Sequence, residues 1–378
     1  MAPELAVPRA AYVHIPFCAH HCGYCDFAVT AGQDHLVDLY LEALALDFKP
    51  DSQRSPLSTL FLGGGTPSHL NVRQLDRLFA DLARWLPLDA GAEVSLEANP
   101  DSFDAEKARL LAQHGVTRIS LGVQSFQPHL LRTLERRHDP SHVAPAVVAT
   151  RDCGLDLSLD LIFGVPGQSL DQWAADLQQA IALGPDHVST YGLTFEKGTR
   201  LWKQQQLGDV KALDEDLEYR MYLHAMETLE AAGFEQYEIS SFARPGKRCR
   251  HNQVYWANDA FFGFGVGAAA FIGGTRTLNV RNTQEYIRRL LAGESPEFQS
   301  ETLEPEASAR ETLALNLRRM EGACREQFRA RTGFDLDALA GPALRRHADA
   351  GLLADDGKRV RLTRAGRCVA DSLVADLL

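Results

Sequence analysis

Between residues 11 and about 240, short apolar runs alternate with longer stretches in which leucines recur every three or four positions. The short runs are "AYVHI" (11–15), "STLFL" (58–62), "EVSLEA" (93–98), "RISLGV" (118–123), "LSLDLIF" (157–163) and "HVSTYGL" (187–193). Several are apolar at nearly every residue, as expected of parallel strands covered on both faces. The intervening "HLVDLYLEALALDF", "VRQLDRLFADLARWL" and "LDQWAADLQQAIAL" carry the helical spacing. Six or so β/α units in series predict an α/β fold with a parallel sheet, either doubly wound or a full or partial barrel. After Glu238 the pattern changes. "SSFARPGKRCRHNQVYWAND" is turn-rich and aromatic, and "FFGFGVGAAAFIGG" is glycine-rich without a period. Beyond residue 300, a helix in "ASARETLALNLRRM" leads to a helix, a short hairpin at "DDGKRVRLT" and a last helix, an order that resembles a winged-helix unit. The expected division is a core over 1–240, an extension packing on it over 241–300, and a mainly helical C-terminal module over 301–378.

Composition narrows the function classes. The 378 residues suit one α/β barrel plus an accessory domain. Thirty-nine Lys and Arg against 50 Asp and Glu give a net charge of −11, which argues against a nucleic-acid surface and gives the winged-helix-like module a structural role. "MAPELAVPRA" has no basic start followed by an apolar run, so no signal peptide is expected. No run approaches the ~18 apolar residues of a membrane span. Of seven cysteines, three are bunched and four (Cys153, Cys249, Cys324, Cys368) are scattered. That is a poor disulfide framework and predicts a reducing, cytoplasmic setting.

The distinctive polar and glycine residues fall at the carboxyl ends of the expected strands, the edge where parallel α/β folds bind ligands. "CAHHCGYCDF" follows the first strand and "GGGTPS" the second. Glu97 ends the third, Gln124 follows the fourth, and Asp160 lies within the fifth. Three thiols at Cys18, Cys22 and Cys25 suit a metal better than a disulfide, which would leave one over. Structural zinc usually takes four ligands. In a [4Fe–4S] cluster three cysteines would leave one iron open. A redox Cys-x2-Cys pair with a spare thiol is the alternative.

The Cys-x3-Cys-x2-Cys loop resembles the signature of the radical S-adenosylmethionine (SAM) superfamily, whose fold is a partial (β/α)6 barrel of the TIM type. The resemblance implies a [4Fe–4S] cluster on Cys18, Cys22 and Cys25, with SAM chelating the open iron. It further implies that Gly64, Gly65 and Thr66 hold the methionine end of SAM and Glu97 its ribose. Gln124, Arg136, Asp160, Tyr12, Tyr24, Asp26 and Ala269 match further SAM-contacting positions. "YVHIPFC", "FLGGGTPS", "SLGVQSF", "DLIFGVPGQ", "YEISSFA" and "CRHNQVYW" together resemble the coproporphyrinogen dehydrogenase (HemN) group and, within it, the HemW branch. The dehydrogenase motif ends in a fourth cysteine where this chain has Phe27. The resemblance thus implies a heme chaperone that binds heme, or another tetrapyrrole, and passes it to an acceptor protein. It also implies an electron donor for the cluster. The alternative is an oxygen-independent coproporphyrinogen III oxidase or another tetrapyrrole-acting radical SAM enzyme. His251 is the candidate heme ligand, with Cys249 a lesser one, whereas His14, inside the first strand, reads as a core histidine. Ala269, Ser241 and Asn316 depart from the group's usual histidine, asparagine and glycine.

Overall fold

The computed structural model describes residues 7–48 and 55–378. Residues 1–6, part of the stretch considered above for a leader, lie outside the described residues. Six parallel strands form the centre: β1 (Ala10–Ile15), β2 (Leu57–Gly64), β3 (Leu88–Ala98), β4 (Arg118–Gln124), β5 (Asp156–Phe163) and β6 (His187–Gly192). Each pairs in parallel with the next in chain order. Helices such as Val72–Trp85 and Leu170–Ala182 cross between them, each begun by a capping box, at Asn71 and Ser169 respectively.

The strands are less apolar in effect than their sequences suggest. Val13, Leu60, Leu62, Val94, Leu96, Ile119, Leu121, Leu157 and Leu159 join one buried core with the covering helices. The alternate positions, which point to the other face, carry Thr59, Glu93, Ser95, Glu97, Arg118, Ser120, Ser158, Asp160, His187 and Ser189, mostly buried. The expectation of strands apolar on both faces therefore holds for only one. The inner face is polar because it lines cavities instead of closing into a packed core.

The segment expected to pack on the core in fact pairs with it at both edges. Strand β7 (Ser241–Ala243) runs antiparallel to β6, and β8 (Phe262–Phe264) runs parallel to β1. With Glu235–Gln236 outside β7 the sheet has, among the described residues, nine strands whose two edges do not pair with each other, so the barrel is partial. Residues 269–302 add a three-stranded antiparallel sheet. The C-terminal part has its own core around Leu313, Phe328, Leu344, Val360 and Leu373. Its helices Pro305–Leu317, Arg325–Thr332 and Leu336–Asp349 precede the hairpin Leu353–Asp355 and Arg359–Leu362. Among the described residues no helix is long and apolar enough to cross a membrane.

Candidate functional site

The three cysteines occupy a loop clamped at its base, where Phe17–Cys18 pairs in parallel with Thr30–Ala31. The loop is also tied to its surroundings: Gly23 N–H donates to Leu134 O, Leu201 N–H donates to Gly23 O, and the Arg200 guanidinium reaches His21 O. All three thiols are free; Cys18 is buried, and Cys22 and Cys25 are half-buried. Burial pushes the Cys18 thiol up to about 11 and the Cys25 thiol up to about 12. To act as thiolates they need a strong positive charge beside them, as bound iron provides. Among the described residues, no three His, Cys, Asp or Glu side chains gather as ligands of a single metal ion. The thiols line one cavity without converging on a point, an arrangement suited to a cluster in which each meets a different iron.

That cavity, of about 550 Å³, also brings in Tyr24, Asp26, Gly64, Gly65, Thr66, Glu97, Gln124, Arg136 and Asp160. The glycines are required by close packing. A Cβ at Gly64, whose φ is +106°, would lie 2.3 Å from the His14 ring, and one at Gly65 would lie 2.6 Å from the Pro16 carbonyl. Gly64 N–H donates to Glu97 Oε2 at 3.0 Å, and Thr66 Oγ1 lies 3.3 Å from Cys18 Sγ. Gln124 ends β4 in the left-handed region at φ 63°, an uncommon conformation for a non-glycine residue. Arg136 is tied into the cavity wall. Its Nη2 donates to Asn99 Oδ1 and Gly122 O, and its Nη1 lies 3.8 Å from Cys22 Sγ.

A second chamber of about 450 Å³ continues into the barrel and shares Asp26, Phe27, Gly64, Glu97, Ser120, Asp160 and Tyr191 with the first. Tyr12, His14, Ala269 and His251 lie on this chamber and not on the cysteine side. Tyr12 O–H donates to His14 Nδ1 at 3.1 Å, since His14 Nε2 lies 2.9 Å from Ala28 O and must carry the proton there. His14 is thus a satisfied core histidine on the chamber wall. Burial and Asp160 together push the Glu97 carboxyl up to about 7. Burial also raises Asp160, although Ser120 Oγ donates to its Oδ2 at 2.9 Å. Two neighbouring acids facing one chamber make it receptive to hydroxyl donors. Phe27 is 64% exposed at the junction of the two chambers. Asp26 beside it pairs with Arg281 at 3.5 Å.

His251 is fully buried in the helix Arg250–Trp256. Its Nδ1 meets Thr59 Oγ1 at 2.9 Å and its Nε2 meets Tyr255 O–H at 2.7 Å, with the ring stacked on Phe61. To ligate iron the imidazole would have to leave one of these partners. Cys249 is likewise buried, its thiol donating to Glu93 Oε1 at 3.4 Å. Sequence reasoning missed Asn99, which orients Arg136, and Ser120, which holds Asp160. A serine recurs at the centre of "EVSLE", "RISLG", "DLSLD" and "HVSTY" (Ser95, Ser120, Ser158 and Ser189), a regularity legible in the sequence once the inner face is known to be polar.

Comparison with known proteins supplies independent findings. The family described as "Radical SAM superfamily" matches residues 12–180, and "HemN C-terminal domain" matches residues 303–369. The chain is 36% identical over 375 residues to the heme chaperone HemW of Bacillus subtilis (strain 168), covering 98% of this chain and 99% of that one. It is 34% identical over 375 residues to the heme chaperone HemW of Escherichia coli (strain K12), covering 97% of each. The solved structure of coproporphyrinogen III oxidase (HemN) from Escherichia coli superposes with a TM-score of 0.86 at 23% identity, covering 98% of this chain and 90% of that one. That likeness speaks to the fold.

Proposed function

The chain belongs to the radical SAM superfamily and, within it, to the HemW family, and from this premise we propose that it is a heme chaperone. In this reading Cys18, Cys22 and Cys25 hold a [4Fe–4S] cluster, SAM lies in the cysteine-side cavity, and heme is the cargo passed to an acceptor protein. The observation that carries the reading is the convergence of three free thiols, the Gly64–Gly65 shelf, Gln124, Arg136 and the Glu97–Asp160 pair on one cavity. When bound, the cluster and SAM supply one-electron reductive chemistry at a sulfonium centre.

The chain's own residues do the rest. Gly64 and Gly65 let a ligand reach the backbone at the end of β2. Arg136, fixed by Asn99 and Gly122, presents a guanidinium suited to a carboxylate. Glu97 and Asp160 suit the hydroxyls of a ribose. The adjoining chamber, walled by Tyr12, Phe61, Tyr255 and Phe261, offers aromatic faces to a flat conjugated macrocycle. An external donor would reduce the cluster.

Phe27 separates this reading from an oxidase, because it places an exposed apolar ring that cannot ligate metal at the chamber junction. The test is anaerobic reconstitution followed by SAM, a reductant and coproporphyrinogen III. No protoporphyrinogen is expected; its catalytic formation would replace the chaperone reading with the enzyme.

A further inference from the structure

At the opposite end of the barrel from the cysteines lies a cavity of about 550 Å³, walled by the amino ends of β4 and β5, by β3 and by residues 245–253. Arg118, the first residue of β4, is the partition between this basal cavity and the inner chamber, lining both. It is 4% exposed. Among the described residues only its Nη2 has close partners: Lys247 O at 2.9 Å and Arg248 O at 3.5 Å, with Glu93 at 3.7 Å and Asp156 at 3.8 Å. Nε and Nη1, which carry three N–H donors between them, have no acceptor among the described residues although both are buried.

The neighbouring carboxylates are already committed. Glu93 Oε1 accepts from His251 N–H and the Cys249 thiol, and its Oε2 accepts from Arg250 N–H. Asp156 pairs with Lys247, and Glu235 with Arg248. Among the described residues, Arg250 reaches the cavity with only the carbonyls of Gly91 and Ser58 as partners. The run "ARPGKRCRH" places Arg244, Lys247, Arg248 and Arg250 together in a chain of net charge −11. A buried guanidinium with unmet donors is costly unless something accepts from it.

We propose that this basal cavity is a binding site for a small oxyanion, of the phosphate or carboxylate class, held by Arg118 with Arg250 at its side. The site is separate from the cysteine-side cavity, which shares no lining residue with it. The test is isothermal titration of the full-length protein with inorganic phosphate, and separately with acetate, at ionic strength fixed with chloride. Saturable binding with a dissociation constant of about 1 mM is expected for one or both anions. Arg118→Met should weaken it at least about tenfold, the loss of one charge-assisted hydrogen bond. Should that variant not fold, Arg250→Gln, whose guanidinium faces only carbonyls, should weaken the same binding several-fold. No saturable heat from the wild-type protein, meaning a cavity filled by water alone, would overturn the proposal. So would unchanged affinity in the folded variants.

Discussion

Gly64 shows how one residue sets the geometry of the cleft. Its positive φ and the His14 ring leave no room for a side chain, so the end of β2 stays bare beside Glu97. Gly64→Ala should therefore destabilise the protein by about 2–4 kcal/mol through strain and displacement of His14, seen as a lower urea midpoint at unchanged m-value. Cys22 is a residue of the opposite kind: half-buried and free, its sulfur 3.8 Å from Arg136 Nη1. Cys22→Ser should fold normally yet, after anaerobic reconstitution, lack the broad visible absorbance of an iron–sulfur cluster. An intact chromophore would reject Cys22 as a ligand. Both residues were legible in the sequence because their signals are local, in the spacing of three cysteines and a run of three glycines. Phe27 was legible for the same reason.

Elements assembled from distant segments were harder to read. The helix Arg250–Trp256 begins on Glu93, 157 residues earlier in the chain, which accepts from the Arg250 and His251 backbone. Nothing in "EVSLEA" signals that partnership, because a strand pattern shows the face a side chain takes and not what it meets. His251, named from its motif as the heme-ligand candidate, shows the same gap: the motif does not reveal that its ring bonds Thr59 on β2 and Tyr255. His187, the first residue of β6, makes a similar tie. Its Nδ1 meets Ser158 Oγ at 2.9 Å and its Nε2 meets Tyr237 O–H at 2.8 Å. Burial, with Arg118 nearby, lowers its pKa from 6.5 to about 3. The unfolded chain therefore binds a proton that the folded chain refuses, so this histidine's contribution to stability is lost as pH falls below about 6.5. His187→Gln removes the titration. Its stability deficit relative to the wild type, measured by urea unfolding, should narrow by about 2 kcal/mol between pH 7 and pH 5. A pH-independent difference would mean that His187 is not held neutral.

At the scale of the whole molecule, the alternation of strands and helices predicted the parallel sheet, and the strand-end residues singled out in the sequence line one cavity. Two features escaped it. The sheet's edges are completed by β7 and β8, short strands from a glycine- and turn-rich segment with too few residues for a periodic signal. The inner face carries polar residues from Glu93 and Arg118 at the base to Glu97 and Asp160 at the top, beside the rings of Tyr12 and Phe61, so the barrel lines two chambers and a basal cavity while the hydrophobic core lies between the strands and their covering helices. A scaffold of that kind can host a cofactor at one end while offering an aromatic wall to a separate cargo. The claim that this cargo is heme is tested most directly by titrating the reconstituted protein with heme and then adding an apo-heme protein as acceptor. A heme chaperone should give a saturable Soret band that shifts to the spectrum of the loaded acceptor. Heme that gives no saturable band, even in excess, would contradict it.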